Sequence, residues 1–94
     1  MPVSVRLPTV MRAAAGGQTS VEANAGTLAE VLEDLVRQFP NLRAQLLTDS
    51  GELHRFVNVY INDEDVRFLD KLQTKVDDGA QVSIVPAVAG GQLG

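Results

Sequence analysis

Val3-Ser4-Val5-Arg6-Leu7 alternates apolar and polar side chains, the period of a strand with one buried face. Pro8 then marks its end or an edge position. The stretch 10–17 closes in Gly16-Gly17, a turn signal, and 18–24 resumes in extended style. The two arms are expected to form a β-hairpin with a long connection. After Gly26 the period changes. Leu28, Val31, Leu32, Leu35, Val36 and Phe39 recur at helical spacing and make one apolar stripe. Thr27-Leu28-Ala29-Glu30 opens that stripe as a capping box, in which the Thr27 hydroxyl and the Glu30 carboxylate each accept from the other residue's amide. Pro40 forces Phe39 out of the helical region and ends the helix. Asn41 is expected to cap a second short helix carrying Leu42, Leu46 and Leu47, and Asp49-Ser50-Gly51 reads as a loop.

The residues 56–61 read as a strand, with Val57, Val59 and Ile61 on one face and Phe56, Asn58 and Tyr60 on the other. Asn62-Asp63-Glu64-Asp65 is a polar turn leading into a short extended stretch, Val66-Arg67-Phe68. Asp77-Asp78-Gly79 turns the chain again, and 81–85 form a last strand with Val82 and Ile84 facing alike. One amphipathic helix has to cover one face of a mixed sheet, since nothing else in the chain is long enough to do so. The expected fold is therefore α+β: a β-grasp, ubiquitin-like arrangement of about five strands under one main helix. The last strand would lie centrally beside the first and throw a flexible C-terminal tail off one end of the sheet. Residues 1–87 would form the domain and 88–94 the tail, with no repeat or linker that calls for a second domain.

Composition narrows the possible activities. The 94 residues carry 12 acidic and 8 basic side chains, a net charge of −4. That balance speaks against nucleic acid, whose binding needs clustered Lys and Arg to replace counterions. No cysteine is present, which removes disulfides and thiolate metal sites. There is no apolar run approaching 18 residues and no signal-peptide pattern, so a soluble cytoplasmic protein away from membranes is the simplest expectation.

A conventional active site is hard to assemble from these residues. His54 is the sole histidine, so a metal site would need carboxylates for most of its ligands. Asp63, Glu64 and Asp65 crowd together, but neighbours in a turn point apart and no calcium-loop spacing follows them. A solvated acidic turn is the expectation, with no metal bound. Ser4, Ser20, Ser50 and Ser83 have no paired base in evident reach. Gly16-Gly17 lacks the Lys and following hydroxyl residue of a phosphate loop. The chain is expected to bind no cofactor and to turn nothing over itself.

The C-terminal tail remains. Ala87-Val88-Ala89-Gly90-Gly91 is apolar and poor in side chains. Fully extended, the five residues after Pro86 span at most ~17 Å. Val88 and Ala89 are small and Gly90 and Gly91 barely thicker than backbone, so the strip can thread a narrow channel in another protein and carry a terminal carboxylate to a buried reactive centre.

Val57-Asn58-Val59-Tyr60-Ile61-Asn62, the Asp78-Gly79 turn and the ending Val82-Ser83-Ile84-Val85-Pro86-Ala87-Val88-Ala89-Gly90-Gly91 together resemble the ThiS/MoaD family of ubiquitin-like sulfur carriers. Ala80 and Gln81 follow the glycine where the family has an Asp-Gly-Asp-like turn. The segments around Leu53–Asn58 and Asn62–Phe68 are most similar to the branch that serves cysteine biosynthesis. The resemblance implies that an ATP-dependent, E1-like adenylating and sulfurtransferase enzyme activates the carboxylate of Gly91, after which sulfur replaces AMP to leave a thiocarboxylate. It implies two further partners: a pyridoxal-phosphate cysteine synthase, and a JAMM-type zinc peptidase that frees cysteine from the carrier.

One departure is conspicuous. The family usually ends at the second glycine, whereas Gln92-Leu93-Gly94 follow here and would leave Gly91 without a free carboxylate. Cleavage between Gly91 and Gln92 before activation would restore it. A remnant foreign to the native chain, or Gly94 as the activated end, are the other readings. Sulfur delivery for molybdopterin, for the thiamine thiazole or for a sulfur-containing natural product shares the same tail chemistry, and a ubiquitin-like protein tag is the alternative from another class. Docking is expected on the open sheet face through Phe56, Asn58 and Tyr60, unless the segment 41–51 shields them.

Overall fold

The computed structural model describes residues 2–86, so the tail positions expected to act, Val88, Ala89, Gly90, Gly91 and Gln92, lie outside the described residues. Strand β1 (Val3–Arg6) pairs antiparallel with β2 (Ser20–Ala23), confirming the hairpin. The long connection is not irregular: it holds a short helix α1 (Thr9–Arg12) that continues as a 3-10 turn, Ala13–Ala15. Gly16 and Gly17 follow with φ of 69° and 85°, the left-handed conformation that a chain leaving a helix needs.

Helix α2 (Leu28–Gln38) begins as its sequence dictates. The Thr27 amide donates to Glu30 Oε1 at 2.9 Å and the Glu30 amide donates to Thr27 Oγ1 at 3.2 Å. Phe39 sits at φ −133° and ψ 83°, outside the helical region, as the following proline requires. A two-stranded ribbon not apparent in the sequence, β3 (Gly26–Thr27) with a strand at Lys75–Val76, clamps the entrance to α2. Beside it, the Leu28 amide donates to the Thr74 carbonyl at 2.8 Å.

The second helix differs from expectation. Asn41 caps nothing: it lies inside a 3-10 turn, Pro40–Leu42, that runs into α3 (Arg43–Leu46). Proline at the first position of that turn supplies the preset φ, so no side-chain cap is required. Leu47 leaves the helix and bridges Leu53. Strand β4 (Val57–Ile61) begins one residue later than expected, leaving Phe56 in the preceding turn. The acidic turn is a two-residue hairpin loop, Asn62 (φ 50°) and Asp63 (φ 76°), joining β4 to β5 (Glu64–Asp65). Short polar Asn and Asp tolerate these angles, which match the twist of a tight hairpin. Val66–Phe68, expected to be extended, forms a 3-10 turn in which the Arg67 amide donates to Asp65 Oδ1. With Lys75–Val76 as β6, the final strand β7 (Gln81–Pro86) completes the chain's described part.

The main sheet runs β2-β1-β7-β4-β5, with β7 parallel to β1 and antiparallel to β4. Val3, Val5, Val82, Ile84, Val57, Val59 and Ile61 form its inner face, against Leu28, Val31, Leu32 and Leu35 of α2 and Leu42 and Leu46 beyond it. The expected five-stranded mixed sheet under one main helix is therefore what the chain forms.

Asp34 is a buried acid on α2, and its burial has a purpose. The outer edge of β2 would present unpaired backbone groups to any passing strand. Asp34 Oδ2 accepts from the Asn24 amide at 2.9 Å, and Gln38 Nε2 donates to the Glu22 carbonyl at 2.9 Å. The helix thus caps the sheet's edge with side chains. Arg37 also pairs with Asp34, but from an exposed position. Asp34→Ala, which strands the Asn24 amide, is expected to cost about 1–3 kcal/mol in urea unfolding. Arg37→Ala should cost under about 1 kcal/mol, as an exposed ion pair does. Equal losses would assign Asp34 to the ion pair instead of the edge.

Candidate functional site

The place from which the tail departs is the end of β7. Alternation within this strand turns Val82 and Ile84 inward and leaves Ser83 half-buried and Val85 exposed on the other face. The Asn62 amide donates to the Gln81 carbonyl and the Ser4 amide to the Ala80 carbonyl, which sets the phase of both ladders. The amides of Ser83 and Val85 consequently point to β4, and those of Val82 and Ile84 to β1. Pro86, opposite Val57, is the last described residue of the strand, and the N–H it lacks falls on the β1 side, beyond the last β1 pair at Ser83.

Around this root the open face can be read strand by strand. Ser20, Arg6, Ser83, Tyr60 and Asp65 stand in register across all five strands, with Asn58 beside Val85 in the next row. Asn58 and Tyr60 are half-buried on this face, where the alternation of β4 puts them. Phe56 is set apart from them: it lies in the turn ahead of β4, 48% exposed, and lines a groove with Val10, Met11, Ala44 and Gln45. The segment 41–51 thus flanks Phe56 without covering it. Arg55 stacks its guanidinium 5.6 Å from the Phe56 ring centroid, and the His54 ring lies 5.5 Å from it. His54 Nδ1 faces the Phe56 amide at 3.4 Å, a local turn contact.

Nothing in the hydrophobic pattern warns of Val10, 68% exposed on α1, or of Arg6 and Arg12 near it. Val85, 41% exposed, was recoverable, because an outward Val85 follows once Val82 and Ile84 face in.

Within the open face the strongest polar contact is between Asp65 and Arg67, whose NH2 donates to Oδ2 at 2.8 Å and whose Nε reaches both oxygens. These side-chain hydrogen bonds, helped by the Arg67 amide, hold the Asp65 carboxyl below the usual carboxylate range. The same pairing raises the Arg67 guanidinium, with Tyr60 adding a weaker pull. Among the described residues no group of three or more His, Asp or Glu is placed to hold a metal ion. Ser83 stands beside Tyr60 and Arg6 with no imidazole in that row. Such a face is equipped to recognise a surface.

A family model described as ThiS family matches residues 5–91. The chain belongs to the ThiS family. The family match ends on Gly91 and leaves Gln92-Leu93-Gly94 beyond it. The sulfur carrier protein CysO of Mycobacterium tuberculosis is 50% identical over 93 residues, covering 97% of this chain and 100% of the relative. A crystal structure of the Amycolatopsis orientalis BexX/CysO complex contains a chain that superposes with a TM-score of 0.87 at 46% identity, covering 95% of this chain and 99% of that one. The small archaeal modifier protein 3 of Haloferax volcanii is 42% identical over 65 residues, 69% of this chain and 70% of the relative. The likeness to solved ThiS-type chains confirms the β-grasp fold over the described residues.

The Asp65–Arg67 pair gives this face a measurable pH signature. A carboxyl whose folded-state pKa is depressed adds stability above its unfolded value, and the contribution disappears as pH falls through the folded pKa. Arg67→Gln is expected to return the Asp65 titration, followed by its carboxyl NMR shift, toward about 3.9. A titration unmoved by the substitution would contradict the pairing.

Proposed function

We propose that this protein is a sulfur carrier whose activated end is Gly91, exposed by removal of Gln92-Leu93-Gly94. The observation that carries the reading is that the family match stops on Gly91, five residues past Pro86, the last described residue of a strand that pairs with β1 and β4. A peptidase hydrolyses the Gly91–Gln92 bond and leaves a carboxylate. A carboxylate is a poor electrophile, so an E1-like enzyme joins it to the α-phosphate of ATP with loss of pyrophosphate. Hydrosulfide from a sulfide donor then attacks the acyl carbon and displaces AMP, leaving the thiocarboxylate. Val88, Ala89 and Gly90 are the slender strip that passes through the enzyme's channel. A JAMM-type zinc peptidase suits the trimming step, because cleavage after Gly91 resembles release of a product from that same carbonyl. The zinc, the ATP and any pyridoxal phosphate belong to the partners, and the requirement for ATP places the cycle in the cytoplasm.

The likeness to CysO over the whole chain favours cysteine biosynthesis, with a pyridoxal-phosphate cysteine synthase as acceptor, over the molybdopterin, thiazole and natural-product routes. The partial likeness to an archaeal modifier favours a second reading, in which the same glycine end joins protein lysines. Asn58 and Tyr60 on the open face belong to the docking surface in either case.

Incubation of the full chain and of a form ending at Gly91 with the cognate activating enzyme, ATP and a sulfide donor separates these readings. The shorter form is expected to gain about 16 Da, oxygen replaced by sulfur, while the full chain gains it only after the peptidase is added. Gly-Gly remnants on lysines of other proteins, without that gain, would establish the tag instead. Loading of the full chain with all 94 residues retained would overturn the assignment of Gly91.

A further inference from the structure

We propose that the protein pairs with a second copy of itself through the cleft on the outer side of β4, each copy seating its Phe68 in the other's cleft. The inference goes beyond the carrier reading and does not rest on it. Phe68 is 84% exposed, the most exposed of the large hydrophobics among the described residues. It ends the 3-10 turn Val66–Phe68. Its neighbours in the chain, Val66 and Arg67 before it and Asp70 and Lys71 after it, line a cleft of about 540 Å³. Val57, Asn58 and Val59 line the same cleft. Side chains alternate along a strand, so three consecutive residues line one cavity only where it runs along the strand's edge. That edge is open: β5 pairs with Tyr60 and Ile61 alone, and the turn capped by Asp65 then carries the chain away. The outward amide of Val59 therefore meets no ladder partner, and a backbone carbonyl entering with the second copy's Phe68 turn can accept from it.

A knob beside its own hole is what a two-fold axis requires, because the axis carries each knob into the other copy's hole. Leu53, Val66 and Leu72 add apolar lining for the incoming ring. Charge also favours a copy of this chain. The cleft is lined by Glu52 and Arg55 from one segment and by Asp70 and Lys71 from another, all four exposed and none ion-paired among the described residues. Arg67 is already engaged by Asp65. A ligand of a single sign is repelled here whichever sign it carries. A second copy brings the same four charges in reversed order, so that Lys71 faces its Glu52 and Arg55 its Asp70. The cleft is also preformed. Lys71 sits at φ 53°, a left-handed angle that a lysine seldom adopts. Bonds around it hold the angle: the Asp70 amide donates to Thr74 Oγ1 at 2.9 Å, and the Thr74 amide to the Lys71 carbonyl at 3.1 Å. No residue of β7 lines the cleft, so a pair formed there leaves β7 of both copies outside the contact.

The test is sedimentation of the full 94-residue chain over a range of concentrations, with exchange of the Val59 amide followed by NMR. The mass is expected to rise toward twice the single-chain value as the concentration nears the millimolar range, as a small patch dictates. Protection of the Val59 amide should rise with it. Phe68→Ser, at an exposed position outside the core, should raise the dissociation constant at least about tenfold. Lys71→Glu and Glu52→Lys should each raise it about fivefold at low salt and less at high salt. The double variant, with the two charges exchanged, should return to within about twofold of the unchanged protein. Val10→Ser, an exposed apolar loss on α1, should leave pairing as it was. A single-chain mass at every concentration, a pair indifferent to Phe68→Ser, or exchanged charges that fail to restore pairing overturns the proposal. So does a pair abolished by Val10→Ser, which would put the contact elsewhere on the molecule. Protection of Val59 only when the activating enzyme is added, at single-chain mass throughout, overturns it too and would assign the cleft to a different protein. Sulfur loading of the tail is read separately by mass gain, so the carrier reading stands or falls without reference to these outcomes.

Discussion

Everything in the molecule depends on β7 being paired along both of its edges. Its outer neighbours are β1, laid parallel, and β4, laid antiparallel, and its inward Val82 and Ile84 sit beneath α2 in the core. A parallel pairing between the first and last strands joins the two ends of the chain across a long sequence separation, so the sheet cannot form before most of the fold has. The consequence is a rigid mount. Pro86, opposite Val57, is the last described residue of that strand, three positions past its pairing with β1.

The remaining features protect or exploit that mount. Asp34 and Gln38 cap the far edge at β2, and the two-residue hairpin at Asn62-Asp63 brings β5 against the other side. With the β2 edge capped, the sheet offers partners its open face and its β7 end. Polar residues dominate the face, while Val10, Phe56 and Val85, three of the five exposed large hydrophobics among the described residues, lie toward the end. Among the described residues no cluster of His, Asp or Glu is placed to hold a metal, and on the proposed reading the protein contributes through position, by mounting its tail beside a recognisable surface.

Local signals were the legible part of the sequence. The capping box at Thr27 and the stop at Pro40 involve residues three or fewer positions apart, and both appear as expected. Strand parity was equally readable at Val57, Val59 and Ile61, and at Val82 and Ile84. Errors arose where the determinant was distant or weak. Two-residue strands such as β3 and β6 have no period to detect, and their pairing is decided by α2 needing an anchored start. Asn41 looked like a cap, but the preset angle of Pro40 had already begun the turn. Val66–Phe68 had strand-like side chains, yet Asp65 caps the turn that bends them away. Of the candidate site, Asn58 and Tyr60 followed from alternation. The grouping of Arg6, Val10, Arg12 and Val85 around one groove did not, because only the parallel pairing of β1 with β7 brings these residues together.

The central claim is that the tail is launched from the least yielding strand of the fold, and native-state hydrogen exchange tests it most directly. The account predicts that the amides of Val82, Ser83, Ile84 and Val85 exchange only through global unfolding, as slowly as those of Leu32 and Leu35 in α2. Release of the β7 amides by a local opening, while the helix amides stay protected, would contradict it.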